Sequence, residues 1–180
     1  MSALQIAVLL AGGHLGVLVN NNQQISELAA ILGDKLSARQ QWVTVAESCT
    51  GGGVAEAITR IPGSSGWFEL GFVTYSNRAK TRLLGVDEGV LATVGAVSRP
   101  VVESMAEGAL LESQADMAVA ISGIAGPDGG NDDKPVGTVW FAWALDSGLI
   151  EAEVHHFDGD RAAVRQQSVI VALQGLLDRI

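Results

Sequence analysis

A single cysteine, Cys49, excludes an internal disulfide, and the three histidines, His14, His155 and His156, lack the spacing of a zinc site. Both absences fit a reducing compartment, so a cytoplasmic location is expected. Basic residues are also scarce. Lys and Arg number 11 against 20 Asp and Glu, for a formal net charge of −9, and no basic run occurs. General binding to nucleic acid or to an anionic membrane surface is therefore excluded. An anionic small molecule remains compatible, provided a local nest of amides and arginines receives it. The N-terminal stretch MSALQIAVLLAGGHLGVLV is apolar but broken by Gly12, Gly13, His14 and Gly16. It also lacks the basic n-region and A-x-A site of a signal peptide.

What is present describes one globular domain. Of 180 residues, 48% are hydrophobic and 17% charged, and no internal repeat or later linker divides the chain. An N-terminal extension is expected at 1–24, either poorly ordered, the favoured alternative, or packed on the domain or a partner, and the domain is expected at 25–180. Helical periodicity begins in ISELAAILGDKLSARQ, with Ser26 as its cap. Short apolar strands follow at WVTVA, ELGFVTYS and DMAVAISG. Helices are expected after Gly52, after Asn77 as a cap, through DEGVLATVG, and after Ser98 with Pro100 in the first turn. TVWFAWAL and IEAEVHHF are spaced as a hairpin, and an amphipathic helix closes the chain. Strands alternating with helices, then a late hairpin, indicate an α/β layered domain with a mixed sheet. The four tryptophans read as core or interface packing, which makes a homo-oligomer the expected state. Trp67 alone is placed to stack on an aromatic ligand.

Three loops follow strand ends, where α/β sheets bind ligands. In AESCTGGG, Ser48 or Cys49 sits on a strand-to-helix turn, ahead of Gly51, Gly52 and Gly53. Glycines open a helix at roughly 0.8–1 kcal/mol each relative to alanine. Their amides at a helix N-terminus suit an anion; equally, Ser48 and Thr50 cap the helix and the glycines allow tight packing. In TYSNRAK, Lys80 falls in a first helical turn, where the helix dipole and burial both favour a neutral amine. Such an amine takes a proton from a serine, with Tyr75 relaying or orienting it; a surface lysine is the plainer alternative. SGIAGPDGG offers amides from Ser122 and Gly123 onward for an oxyanion or phosphate. Asp128, Asp132 and Asp133 lack cation-site spacing and read as a solvated loop. Arg161 and Arg165 share a helix face, able to clamp a phosphate or to pair with nearby aspartates.

Six segments occur in one order: AESCTGG, GFVTYSNRAK, GAVS, ISGIAGPDGG, KPVGTVWFA and GDRAAVR. Together they resemble the CinA C-terminal-domain family, in particular its stand-alone nicotinamide-nucleotide amidases, from about residue 25 to the end. The resemblance implies a three-layer α/β/α domain with a mixed, mostly parallel sheet of about five strands. It implies hydrolysis of nicotinamide mononucleotide to nicotinate mononucleotide and ammonia, a step of pyridine-nucleotide salvage, with neither metal nor cofactor. By motif, the catalytic serine is Ser48, assisted by Tyr75 and Lys80. The substrate would then meet amides at Thr50, Gly51, Gly52, Ser122 and Gly123, and the side chains of Arg161 and Arg165. Three alternatives stay open: a cysteine amidase using Cys49, a non-catalytic nucleotide-binding regulatory module, and a structural subunit.

Overall fold

Apolar runs bounded by turn residues form the strands, and the 3.6-periodic segments between them form helices. A computed structural model of the protein describes residues 21–180. In chain order the elements are α1 (Asn21–Arg39), β1 (Val43–Glu47), α2 (Gly53–Thr59), β2 (Phe68–Val73), α3 (Asn77–Leu84), α4 (Glu88–Val94) and α5 (Arg99–Ser113). They continue with β3 (Met117–Gly123), β4 (Thr138–Leu145), β5 (Ile150–His156) and α6 (Arg161–Leu177). Most of the expected extension lies outside the described residues; Asn21 to Gln24 begin α1. Ser26 is therefore inside that helix, not its cap, and its hydroxyl donates to the Asn22 carbonyl at 3.0 Å. A polar first turn hid the true start.

The five-stranded sheet has the order β2-β1-β3-β4-β5. β1 lies parallel to both β2 and β3, whereas β4 runs antiparallel to β3 and β5, so four strands share one direction. The chain leaves β1 for β2 on one side and later returns to β3 on the other. That reversal between β1 and β3 is a topological switch point, which opens a crevice at the strands' carboxyl ends.

Side-chain alternation divides the core into two layers. Val43, Val45, Met117, Val119 and Ile121 pack under α1, α2 and α6. The opposite face carries Ala46, Ala118, Ala120, Ala142 and Ala144, and these small residues let α5 lie close to the sheet. Gly108 extends the same economy. A Cβ there would meet the Leu84 carbonyl oxygen at 2.1 Å, so α5 and α3 touch backbone to backbone. This contact seats α3, the helix that carries Lys80. Trp67 packs against Gly33 of α1 with 3% of its surface exposed, so its ring belongs to the core and not to a ligand. Trp143 is buried as well, its indole N–H donating to the Ala172 carbonyl at 3.2 Å. Among the described residues, no helix is long and apolar enough to cross a membrane.

Candidate active site

Register brings three hydroxyl residues side by side at the switch point. Glu47 is level with Val73 of β2 and Ile121 of β3, so the next residues along are Ser48, Thr74 and Ser122. The Ser48 amide donates to the Ile121 carbonyl at 2.9 Å, and the Thr74 amide to the Glu47 carbonyl at 2.9 Å. Ser48 is thus fixed at the carboxyl end of β1, between β2 and β3, with 9% of its surface exposed.

Lys80 reaches the same point from α3. Ser76, not Asn77, caps this helix, its side chain accepting from the Ala79 amide at 3.1 Å. Helical side chains lean toward the N-terminus, which directs the Lys80 amine back to the sheet. Its Nζ lies 3.0 Å from Ser48 Oγ, 2.8 Å from the Thr74 carbonyl oxygen and 3.5 Å from that of Tyr75. Lys80 is 1% exposed. Burial lowers its pKa to about 8, against a smaller raising effect from Cys49. Among the described residues, no carboxylate bonds to the amine. A buried lysine without a counter-ion readily gives up its proton.

Between Ser48 and α2 the chain forms a tight elbow. Gly51 and Gly52 adopt left-handed backbone, with φ of +59° and +95°, which explains the residue type at both positions. The Gly51 amide donates to the Ser48 carbonyl at 3.1 Å, and the Gly52 amide to Glu47 Oε2 at 3.0 Å. Two amides expected to face substrate are therefore engaged within the elbow itself. Thr50 offers its carbonyl to Arg165 Nη2 at 2.8 Å, while its own hydroxyl is buried without a partner.

Tyr75 presents two different atoms to the site. Its carbonyl accepts from Lys80, but its phenol oxygen accepts from Arg161 Nη2 at 3.0 Å, and no bond joins the phenol to Ser48 or Lys80. Arg161 Nη1 donates to the Gly126 carbonyl at 2.8 Å. Arg161 and Arg165 thus bind carbonyls of the surrounding loops, not the nearby aspartates. The Ser122 hydroxyl, at the end of β3 beside β1, is buried and has no hydrogen-bond partner among the described residues. Gly123 is packed against β4, where an added Cβ would come within 2.6 Å of Val139.

A model of the CinA C-terminal domain matches residues 25–180. The chain belongs to the CinA C-terminal domain family. A nicotinamide-nucleotide amidohydrolase, PncC, from Pseudomonas putida is 61% identical over 153 residues, covering 85% of this chain and 95% of that one. The Escherichia coli protein of the same name is 57% identical over 155 residues, covering 86% and 94%. The crystal structure of the competence/damage inducible protein CihA from Agrobacterium tumefaciens superposes with a TM-score of 0.84 at 44% identity, over 86% of this chain and 94% of that one.

In this family member Cys49 sits beside Ser48 but faces inward, 5% exposed. Burial pushes its thiol up to about 11, against the lowering effect of the Cys49 and Thr50 amides and with a further rise from Glu47. Among the described residues, no group of three or more His, Cys, Asp or Glu side chains is arranged to hold a metal. A groove of about 240 Å³ runs between α1, α2 and α6, lined by Thr50, Arg60 and Arg165 among others; Ser48 and Lys80 are not in its wall. Glu47 is the residue that the sequence reading passed over. Val43, Val45 and Glu47 alternate onto one strand face, so an acidic side chain at that position had to enter the core.

Proposed function

We propose that the protein hydrolyses the carboxamide of nicotinamide mononucleotide, giving nicotinate mononucleotide and ammonia through an acyl-enzyme on Ser48. The observation that carries this reading is the 3.0 Å contact between Lys80 Nζ and Ser48 Oγ in a buried setting. Its substrate follows the name of the relatives, and nicotinamide-nucleotide salvage is the corresponding role.

As a free amine, Lys80 has two N–H groups and one lone pair. The carbonyls of Thr74 and Tyr75 receive the two N–H groups, which leaves the lone pair for the Ser48 hydroxyl proton. Ser48 Oγ attacks the carboxamide carbon as Lys80 takes that proton. The resulting oxyanion falls to the Thr50 amide and to the Ser122–Gly123 stretch, where the unpartnered hydroxyl is available. Collapse breaks the C–N bond, and the Lys80 ammonium returns its proton to the departing nitrogen, releasing ammonia. Water then attacks the ester with Lys80 as base, and Ser48 leaves as the hydroxyl. Arg161 and Arg165 bind the substrate phosphate, and Arg161 orients Tyr75 over the site.

Incubation with nicotinamide mononucleotide in the presence of EDTA should release equimolar ammonia and nicotinate mononucleotide. The kcat/KM profile should rise about tenfold per pH unit and level off near the Lys80 value of about 8. Folded protein that binds the nucleotide without turnover would favour a regulatory nucleotide-binding module. The cysteine alternative makes the opposite forecast for Cys49→Ala. Here that variant, or alkylation with iodoacetamide, should change kcat by no more than about threefold.

A further inference from the structure

The Glu47 carboxylate accepts three backbone N–H groups: Gly52 at 3.0 Å, Val54 at 3.1 Å and Ala55 at 2.9 Å. Its side chain is fully buried, and its own carbonyl receives the Thr74 amide. One residue therefore joins the end of β1 to the first turn of α2 through its side chain and to the segment after β2 through its backbone. The Ser48 nucleophile is the next residue in the chain, and Lys80 Nζ is bonded to the carbonyl of the same Thr74.

We infer that Glu47 is a positioning residue that holds Ser48 Oγ on the Lys80 amine, an assignment that rests on the Ser48 acyl-enzyme reading. The geometry gives Glu47 no route to the reacting atoms, because both carboxylate oxygens point at α2. Its effect passes through the elbow. With the Gly52, Val54 and Ala55 amides held by an internal carboxylate, the start of α2 is closed to substrate anion. The phosphate is received elsewhere, and a change at Glu47 alters the rate of attack while leaving substrate affinity in place.

Glu47→Gln tests this at almost constant volume. The amide has one acceptor oxygen, so whichever way it turns, its NH2 meets at least one N–H donor. Two readouts separate this inference from the choice of substrate. The first is labelling of Ser48 by a fluorophosphonate, which needs no carboxamide; the second is the kcat and KM of the amidase reaction. A shift of Ser48 by about 1 Å should slow labelling and lower kcat by about 10- to 100-fold. KM should stay within about threefold, and the pH midpoint of labelling, set by Lys80, should not move. A folded Glu47→Gln protein that labels at the wild-type rate would overturn the inference, as would a rise in KM without a fall in kcat. Should that variant fail to fold, Glu47→Asp, which keeps the charge and shortens the reach by one methylene, is read by the same two outcomes. Wild-type labelling without amidase activity would instead count against nicotinamide mononucleotide as substrate and leave the positioning role standing.

Discussion

Lys80→Met is expected to lower kcat by about 10⁵-fold while the protein stays folded. Methionine fills a similar buried volume but supplies neither base nor proton donor. The loss should exceed that of any nearby packing change, because the same amine serves both halves of the reaction. The variant also has a thermodynamic signature. In the native protein burial holds the Lys80 value at about 8, whereas an unfolded lysine titrates at about 10.4. Between those values the unfolded state carries a proton that the folded state lacks, so stability rises with pH across this window. As pH falls from 10.4 to 8, the native protein loses roughly 3 kcal/mol relative to Lys80→Met, and below 8 the difference is constant. Urea unfolding of both proteins at about pH 7.5 and pH 10 measures it. Parallel pH dependences would mean that Lys80 titrates like a solvent-exposed amine, and its role as base would fail.

Ser48→Ala should be as inactive, with kcat lower by about 10⁵-fold, but for a different reason and with a different companion effect. Removal of the hydroxyl leaves Lys80 bonded to the Thr74 and Tyr75 carbonyls, so the amine remains seated and the fold is retained. Arg161 and Arg165 are untouched, and the substrate dissociation constant should change by no more than about threefold. Calorimetric titration of the variant with nicotinamide mononucleotide reads this directly. Lost binding in parallel with lost turnover would show that Ser48 is a contact residue and not the attacking group.

Much of this arrangement could be read from local pattern. β1, β3 and β4 are short, mostly apolar runs, and β3 is buried on both faces as an uninterrupted apolar run implies. Gly51 and Gly52 announced a sharp turn after β1, although the pattern did not distinguish left-handed backbone from close approach to a ligand. Both have positive φ, and their amides are occupied by neighbours within the elbow. For Lys80 a stronger signal existed than helix position alone. It lies four residues before Leu84, and these are the two buried residues of α3. A lysine on the apolar stripe of an amphipathic helix is directed inward.

Other features depended on distance in sequence and were not legible. Tyr75 adjoins the Lys80 helix, but its phenol is drawn to Arg161, 86 positions later, by a contact that exists only because α6 begins at the carboxyl ends of the strands. Trp67 follows a turn and resembles an exposed platform, yet the absence of a side chain at Gly33 lets its ring enter the core. Ser26 resembles a cap but lies inside α1, because apolar periodicity marks where a helix becomes buried, not where it begins. Glu47 is the exception: its partners are local, Gly52 just ahead of α2 and Val54 and Ala55 within it, and the strand alternation carries the signal, although an acidic residue at a strand end usually points to solvent.

Covalent attack by Ser48 is tested most directly by acid-quenching the enzyme during turnover of nicotinamide mononucleotide and weighing the intact protein. The expected result is a fraction heavier by the substrate less ammonia, mapped to the peptide containing Ser48 and absent from Ser48→Ala, with hydroxylamine converting it to the hydroxamate. Ammonia release with no such adduct and no hydroxamate would contradict the acyl-enzyme, leaving direct attack by water as the mechanism.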